Sequence, residues 1–453
     1  MAFSSRRAQA SRSGQPRVLQ RRARIQAGFS DRIPEAAVSE ARAALTRHRV
    51  QNDSSLTGLH QCPASVHMKG GKKETRRKAG LRPDGSAKEV VRYAVIGLGH
   101  IAQAAMLPAF GHAKRNSRLA ALVSGSVTKL KTLGGRYRVP RLCDYREADA
   151  LFKSGEIDAV YIALPNDQHK EWAVRAARAG LHVLCEKPMA VTARDCEAMI
   201  RAAATARVKL MIAYRLHFEP GNLDAVRQVR RGVLGDLRFF SSDFSMQVRE
   251  KNIRLKRAKG GGPLYDIGIY CINAARATLG EEPRAVFATA TRSRDPRFRE
   301  VEESVVAAMR FKDARLASFN CSFGGADRST YTVVGTRGSI TLDPAYEYAQ
   351  GIESRLRIGE RHRTRRFGKC DQFAAELEYF SQCILDNRTP EPGGAEGLAD
   401  VKIIEAMHRS IKSGRWVDVA LRPRGGRNTA GRNIRRPPVS REPNLVHVRS
   451  ASR

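Results

Sequence analysis

Asp266 and Tyr270 stand four residues apart in the run G-G-G-P-L-Y-D-I-G-I-Y, Gly260 to Tyr270, where Pro263 suits the first turn of a helix. That spacing predicts both side chains on one helix face. Lys187, in C-E-K-P, follows a short apolar run that reads as a buried parallel strand. A hydroxyl-bearing carbon that gives up hydride must also lose its hydroxyl proton, and a tyrosine can accept it if its anion is favoured. Tyrosine ordinarily ionises near pH ~10, and a neighbouring ammonium lowers that value. Lys187 is the candidate ammonium, so a Tyr–Lys pair suffices for proton transfer without a metal. Each residue also has a plainer reading. Asp266 suits a helix-start charge facing the dipole. Tyr270, beside Ile269 and Cys271, suits a core aromatic, and Lys187 a surface lysine before a turn proline. The sequence leaves both readings of each standing.

A second chemistry is written in Y-A-V-I-G-L-G-H-I-A-Q, Tyr93 to Gln103. A four-residue apolar strand passes into helical spacing at Ile101, Met106 and Leu107, with Gly97 and Gly99 at the turn. The first glycine permits a tight turn, the second lets a pyrophosphate approach the backbone, and Ala102 lets helix and strand pack closely. The helix starting near His100 would present its N-terminal amides to the anion. An NAD-type site would place an acidic residue near the end of the next strand, Leu119 to Val123, yet no Asp or Glu occurs between Gly99 and Asp144. Ser124-Gly125-Ser126, with Lys129 and Lys131 behind it, suits a 2′-phosphate instead. NADP is therefore expected over NAD, although Lys129 and Lys131 also fit a solvated helix face.

The elements that must position these residues alternate as a parallel α/β sheet should. Strands are expected at Asp158 to Leu164, His182 to Cys185 and Val208 to Ala213, with helices at Gln168 to Ala179 and Thr192 to Ala206. An open sheet of this kind binds ligands beyond the carboxyl ends of its strands, which puts Gly97, Ser124, Pro165, Asn166, Glu186 and Lys187 on one rim. From Leu237 the pattern changes to long β-rich stretches: Phe239 to Val248, Ala285 to Thr291, Ser304 to Phe311, Ala314 to Phe323, Tyr331 to Val334 and Ser339 to Leu342. These read as one mostly antiparallel open sheet. A helix is expected at Pro263 to Leu279, and two more, Gln372 to Leu385 and Ala395 to Ser413, close the fold. The organisation is thus a basic, disordered extension at 1–88, a doubly wound α/β Rossmann domain at 89–213, an α+β substrate domain at 214–420 and a basic, disordered tail at 421–453.

With A-L-P-N-D-Q-H at Ala163 to His169, A-G-L-H-V-L-C-E-K-P at Ala179 to Pro188, A-Y-R-L-H-F-E-P at Ala213 to Pro220 and the Gly260 to Tyr270 run, the chain resembles the glucose-fructose oxidoreductase/inositol dehydrogenase family over roughly 90–419. It is closest to the glucose-fructose oxidoreductase branch. The resemblance implies a sugar or polyol oxidoreductase with Lys187 beside the nicotinamide and substrate hydroxyl, Tyr270 as acid/base, Asp266 one turn earlier, and Tyr214 facing the sugar. It implies cofactor contacts from Gly97, Leu98, Gly99, His100, Ile101, Ser124, Lys129, Tyr145, Leu164, Pro165, Asn166, His169, Glu186, Lys187, Arg215 and Arg254. His169 also reads as a helix-start residue, and His217 stays open. Ile253-Arg254 stands where the branch has a Trp-Arg pair, a departure that bears on permanent cofactor retention. An exchanging aldose 1-dehydrogenase or sugar ketone reductase is the nearest alternative, and a nucleic-acid-associated protein on a Rossmann scaffold is an alternative of another class.

Composition bounds the rest. The formal net charge is +36 over 453 residues. Residues 1–88 hold 19 Lys/Arg against 6 Asp/Glu and residues 421–453 hold 9 against 1, so more than half of the excess lies at the ends. Arms rich in Arg, Ser, Gly and Pro suit non-specific contact with phosphates. The eight cysteines show no metal or disulfide spacing, and Cys185, Cys271 and Cys321 read as inert core thiols. No apolar run is long enough to span a bilayer. Arg6-Arg7 has the form of a twin-arginine signal without the apolar core that must follow it, so a cytoplasmic location is expected, with translation starting at Met68. A homo-oligomer built through the C-terminal sheet is also expected.

Overall fold

The computed structural model describes residues 90–422 and 432–452; the extension at 1–88 and the expected start at Met68 lie outside them. Six parallel strands form the first sheet: β1 (Val91–Ile96), β2 (Ser117–Val123), β3 (Arg141–Cys143), β4 (Ala159–Ile162), β5 (His182–Glu186) and β6 (Leu210–Ala213). Their order is β3-β2-β1-β4-β5-β6, the doubly wound arrangement in which the strand order reverses beside β1. Helices cover both faces, so the central strands are buried on both sides and read as continuous apolar runs. Arg141–Cys143 escapes such a reading because two of its three residues are exposed.

The second sheet has nine strands: β7 (Leu237–Ser245), β8 (Ala285–Thr291), β9 (Ser304–Arg310), β10 (Leu316–Ser322), β11 (Arg328–Gly335), β12 (Gly338–Asp343), β13 (Ile352–Ile358), β14 (Arg361–Phe367) and β15 (Val417–Asp418). They lie in the order β14-β13-β12-β11-β7-β10-β9-β8-β15, and only β7 and β10 pair in parallel. Alternate residues of β10 are buried and exposed, which marks one covered face and one open face. The helix of Tyr270 packs on the covered face. It opens with a π-helical turn, Leu264–Gly268, and continues as Ile269–Leu279. Cys185, Cys271 and Cys321 are fully buried, and burial pushes their thiols up, to about 12 for Cys271.

The expectation of a disordered tail fails for residues 432–452. Arg432 is 2 % exposed and pairs with Glu391 at 2.6 Å, Arg436 pairs with Glu378 at 2.5 Å, and Ala451 and Ser452 lie beside the chain that continues β7, with Ser452 bridged to Val248. Arg and Pro content suggested solvation. Carboxylate partners distant in sequence, Glu378 of the Gln372–Leu385 helix and Glu391 of the loop after it, hold the segment instead, and composition does not register them.

Candidate active site

The turn after β1 is held open by its glycines. Gly97 has φ of +91°, and a Cβ there would meet the carbonyl oxygen of Ala163 at 2.6 Å, so only glycine fits. At Gly99 the nearest atom to a Cβ would be 3.9 Å away, which leaves the backbone open to a ligand on that side. The helix that follows begins at residue 100 and passes through a π-helical turn, Ala102–Met106. Its Gln103, 1 % exposed, donates back to the carbonyl of Leu98 at 2.9 Å and stiffens the turn.

Beyond the carboxyl ends of β1, β4 and β5 lies a cleft of about 860 Å³. Gly99, His100, Ile101, Leu164, Pro165, Asn166, His169, Glu186 and Lys187 line it from the first sheet. Arg215, Arg254, Asp266, Tyr270 and the 346–350 loop line it from the second. A glycine cradle, open backbone amides and a cleft at the point of strand reversal fit a dinucleotide.

Lys187 and Tyr270 do come together. Nζ of Lys187 donates to the carbonyl of Asp266 at 2.7 Å and reaches its carboxylate at 3.4 Å, while standing 4.6 Å from the centre of the Tyr270 ring. The ammonium therefore faces the ring rather than being bonded to the hydroxyl, a cation–π contact. Arg215 takes a second position against the same ring, at 5.0 Å. Asp266 is more than a helix-start charge: its other oxygen accepts from Arg254 at 2.6 Å. Burial works against its charge, but Arg254 and Lys187 outweigh burial and hold the carboxyl below its ordinary value. Arg254, expected at the cofactor phosphate, is thus committed in part to Asp266 and stands close enough to His100 to lower its basicity, after burial.

Several residues serve as scaffolding. His169, 1 % exposed, faces the carbonyls of Pro188 at 2.8 Å and Leu164 at 2.9 Å, tying the end of β4 to the loop after β5. Burial lowers its pKa, which suits a brace better than a proton shuttle. Glu186 accepts from the hydroxyl of Tyr161 at 2.5 Å and from the amide of Lys187 at 3.2 Å, fixing the backbone that carries the lysine. Asn166 donates to the carbonyl of Gly260 at 2.9 Å and fastens the two sheets' loops across the cleft. Arg215, 5 % exposed, bonds the carbonyls of Tyr346 and Glu347 and the side chain of Gln372, so it clamps the 346–348 loop.

Tyr214 corrects the expectation of a sugar-facing hydroxyl. It is 2 % exposed, is absent from the wall of the main cleft, and lines a small cavity with His217, Asn273 and Tyr270. Burial, and then the charge of Asp400, push its phenol well above the ordinary value, so it stays protonated. His217 sits in the same buried network, with Nε2 at 2.7 Å from the Asn273 oxygen and Nδ1 at 3.1 Å from the Arg432 guanidinium. An arginine only donates, so Nδ1 must accept and Nε2 carries the proton.

Ser124, Lys129 and Tyr145 are absent from the wall of the main cleft and cluster instead at the ends of β2 and β3. Ser124 accepts from the amide of Ser126 at 3.2 Å, Ser126 caps the Val127–Tyr137 helix by accepting from the amide of Lys129, and the Tyr145 ring lies 3.3 Å from where a Gly125 Cβ would be. Lys129 is partly exposed there, and burial lowers its pKa. The sequence reading missed Tyr346, Tyr348 and the tail residues Ser450, Ala451 and Ser452, which also line the cleft. The aromatic pair Y-E-Y in a loop was a usable signal; the tail offered none.

These features define a two-lobed dinucleotide-dependent enzyme. Residues 91–214 match the oxidoreductase family with an NAD-binding Rossmann fold, and residues 223–341 match the GFO/IDH/MocA C-terminal domain. The chain is 31 % identical over 342 residues to an oxidoreductase of Rhizobium meliloti, covering 73 % of this chain and all of that one. The chain belongs to the GFO/IDH/MocA family of oxidoreductases. It is similar to the aldose-aldose oxidoreductase of Caulobacter crescentus, whose crystal structure in complex with glycerol it matches with a TM-score of 0.70 and 42 % identity, over 73 % of this chain and 100 % of that one. It is 28 % identical to D-xylose 1-dehydrogenase (NADP(+)) 2 of Haloferax volcanii, over 72 % of this chain and 99 % of the relative.

Proposed function

We propose that the protein is an NADP-dependent oxidoreductase that moves hydride to or from a hydroxyl-bearing carbon of a cyclic sugar or polyol. The observation that carries this reading is the convergence of Lys187, Asp266 and Tyr270 on the cleft beyond the Gly97–Gly99 turn. A nicotinamide bound there supplies the hydride acceptor or donor. An ammonium has three N–H donors, and with Asp266 taking its carbonyl and carboxylate contacts, Lys187 keeps one for a substrate hydroxyl. Tyr270 exchanges the hydroxyl proton, and the flanking cations of Lys187 and Arg215 favour negative charge developing at that place. Asp266, fixed by Arg254, holds the lysine in position and accepts from sugar hydroxyls. The names of the Caulobacter and Haloferax relatives support an aldose as substrate.

NADP is favoured by the acid-free stretch from residue 100 to 143 and by Ser124, Ser126 and Lys129 at the end of β2. Association of copies through the open face of the nine-stranded sheet and a cytoplasmic location belong to the same reading; among the described residues no helix is long and apolar enough to cross a membrane. The spectrum of the purified, dialysed protein tests it. A reduced-nicotinamide band bleached by an aldose or ketose supports a retained cofactor, whereas its absence, with turnover on added NADP, supports an exchanging aldose 1-dehydrogenase.

A further inference from the structure

The segment that ends the described chain is anchored on both lobes, and its last residues line the cleft. On the Rossmann side, the amide of Val446 donates to Oε1 of Gln103 at 2.7 Å, and Nε2 of the same glutamine donates to the carbonyl of Val446 at 3.0 Å. This is the buried glutamine that also holds Leu98 in the Gly97–Gly99 turn. Just before it, the carbonyl of Asn444 accepts from Arg136 at 2.6 Å. On the other side, the carbonyl of Ala451 accepts from the amide of Arg249 at 2.9 Å, the carbonyl of Ser452 accepts from the Arg249 guanidinium at 2.6 Å, and Ser452 bridges the fully buried Val248. Ser450, Ala451 and Ser452 form part of the cleft wall.

The stretch between these two anchors is short. Val446 to Ala451 is five residues of rise, about 17 Å when fully extended, so the lobes cannot separate widely while both ends are held. Upstream, the Arg432–Glu391 and Arg436–Glu378 pairs, each with one buried partner, fix the segment to the body, so it is a bound strand of chain rather than a tail brushing past.

We propose that residues 444–452 are part of the cofactor site: a strap that couples the glycine turn to the second lobe and slows dinucleotide exchange. The proposal rests on the reading of this cleft as a dinucleotide site and adds to it the element that governs release. It also means that the segment is not dispensable for cofactor handling, as its composition alone would suggest.

The experiment follows release of NADPH from the full chain by stopped-flow, adding excess NADP and recording the loss of nicotinamide fluorescence. Two variants are compared with it, a chain ending at Leu445 and the full-length Val446→Pro, which removes the amide that donates to Gln103 and leaves the anchors at Ala451 and Ser452 in place. The truncated chain is expected to release NADPH about tenfold faster or more, the scale of losing two or more hydrogen bonds, and Val446→Pro severalfold faster, each still unfolding cooperatively on heating. Release from Val446→Pro and from the folded truncation at the full-chain rate would overturn the strap and leave the cleft's assignment intact. A full chain that binds no dinucleotide would overturn both.

Discussion

Replacing Lys187 by methionine removes one charge and two hydrogen-bond contacts while keeping most of the apolar stem of the side chain. The lysine and Asp266 side chains are 11 % and 15 % exposed, and their charges lie 3.4 Å apart. At an effective dielectric of about 20, unit charges at that distance interact by about 5 kcal/mol. A substrate oxygen bonded to the third N–H of the ammonium would sit at a similar or shorter distance, so negative charge building on it as its proton leaves loses stabilisation of roughly 3 to 5 kcal/mol, a fall in turnover of about 10² to 10⁴. Asp266 keeps Arg254 at 2.6 Å, so the variant does not strand a buried carboxylate and should fold. The assay is single-turnover hydride transfer from an aldose to bound NADP, read by the appearance of reduced nicotinamide, with deuterium at the reacting carbon to show that chemistry is being measured. Dinucleotide affinity is expected to change by less than about tenfold, since uniform binding is not what the lysine supplies. Turnover within about threefold of the parent, with the isotope effect present, would refute the argument, because no other described cation contacts Asp266's carbonyl at this place.

Other outcomes follow from the same geometry. Tyr270→Phe should lower turnover by about two orders of magnitude or more with NADP binding retained, whereas Tyr214→Phe, buried and outside the main cleft, should keep turnover within about tenfold; a reversed pattern would return the proton to Tyr214. Lys129→Ala should weaken NADP more than NAD in equilibrium titration, and equal losses would remove Lys129 from the 2′-phosphate. Asp266 has a folded pKa below its unfolded one, so its stabilisation is fully present above the ordinary carboxyl range and is lost as pH falls through the depressed value. The stability difference between the parent and Asp266→Asn in urea should therefore be level from pH ~8 to ~4 and shrink only below that; a difference already fading near pH ~6 would contradict the ion triad.

The buried halves of this fold were legible because burial writes itself into sequence. Ala285–Thr291 and Gln372–Leu385 coincide with the elements expected of them, and β1, β4, β5 and β6 differ from expectation only at their ends. The hairpin of β13 and β14 was missed because I-E-S-R-L-R-I and R-H-R-T-R-R-F sit at the sheet edge with few apolar residues, and edge strands carry charge where central strands carry Val and Ile. Gly359-Glu360 between them, with φ of +54° at the glycine, was the turn signal that could have found it. In the site, that Lys187, Asp266 and Tyr270 meet at one rim was readable from type and spacing. Their arrangement was not: that the ammonium meets the ring face and the Asp266 carbonyl depends on the π-helical first turn, which no residue pattern announces. Tyr214 was misplaced because its neighbours Ala213 and Arg215 do line the cleft, and one residue of rotation decides which side a side chain enters. Arg432 and Arg436 were read as solvated charge because their partners, Glu391 and Glu378, are more than forty residues away in sequence.

The central claim is that this chain carries out sugar-dependent hydride transfer at the Lys187–Tyr270 pair. The most direct measurement incubates the full chain with NADP and a series of aldoses and cyclic polyols, each deuterated at a hydroxyl-bearing carbon, and looks for deuterium in the nicotinamide ring by mass spectrometry, with Lys187→Met alongside. Deuterium reaching the cofactor from at least one sugar in the parent, and greatly reduced in the variant, is the predicted result. Bound NADP that acquires deuterium from none of them, or equal transfer in the variant, would contradict it.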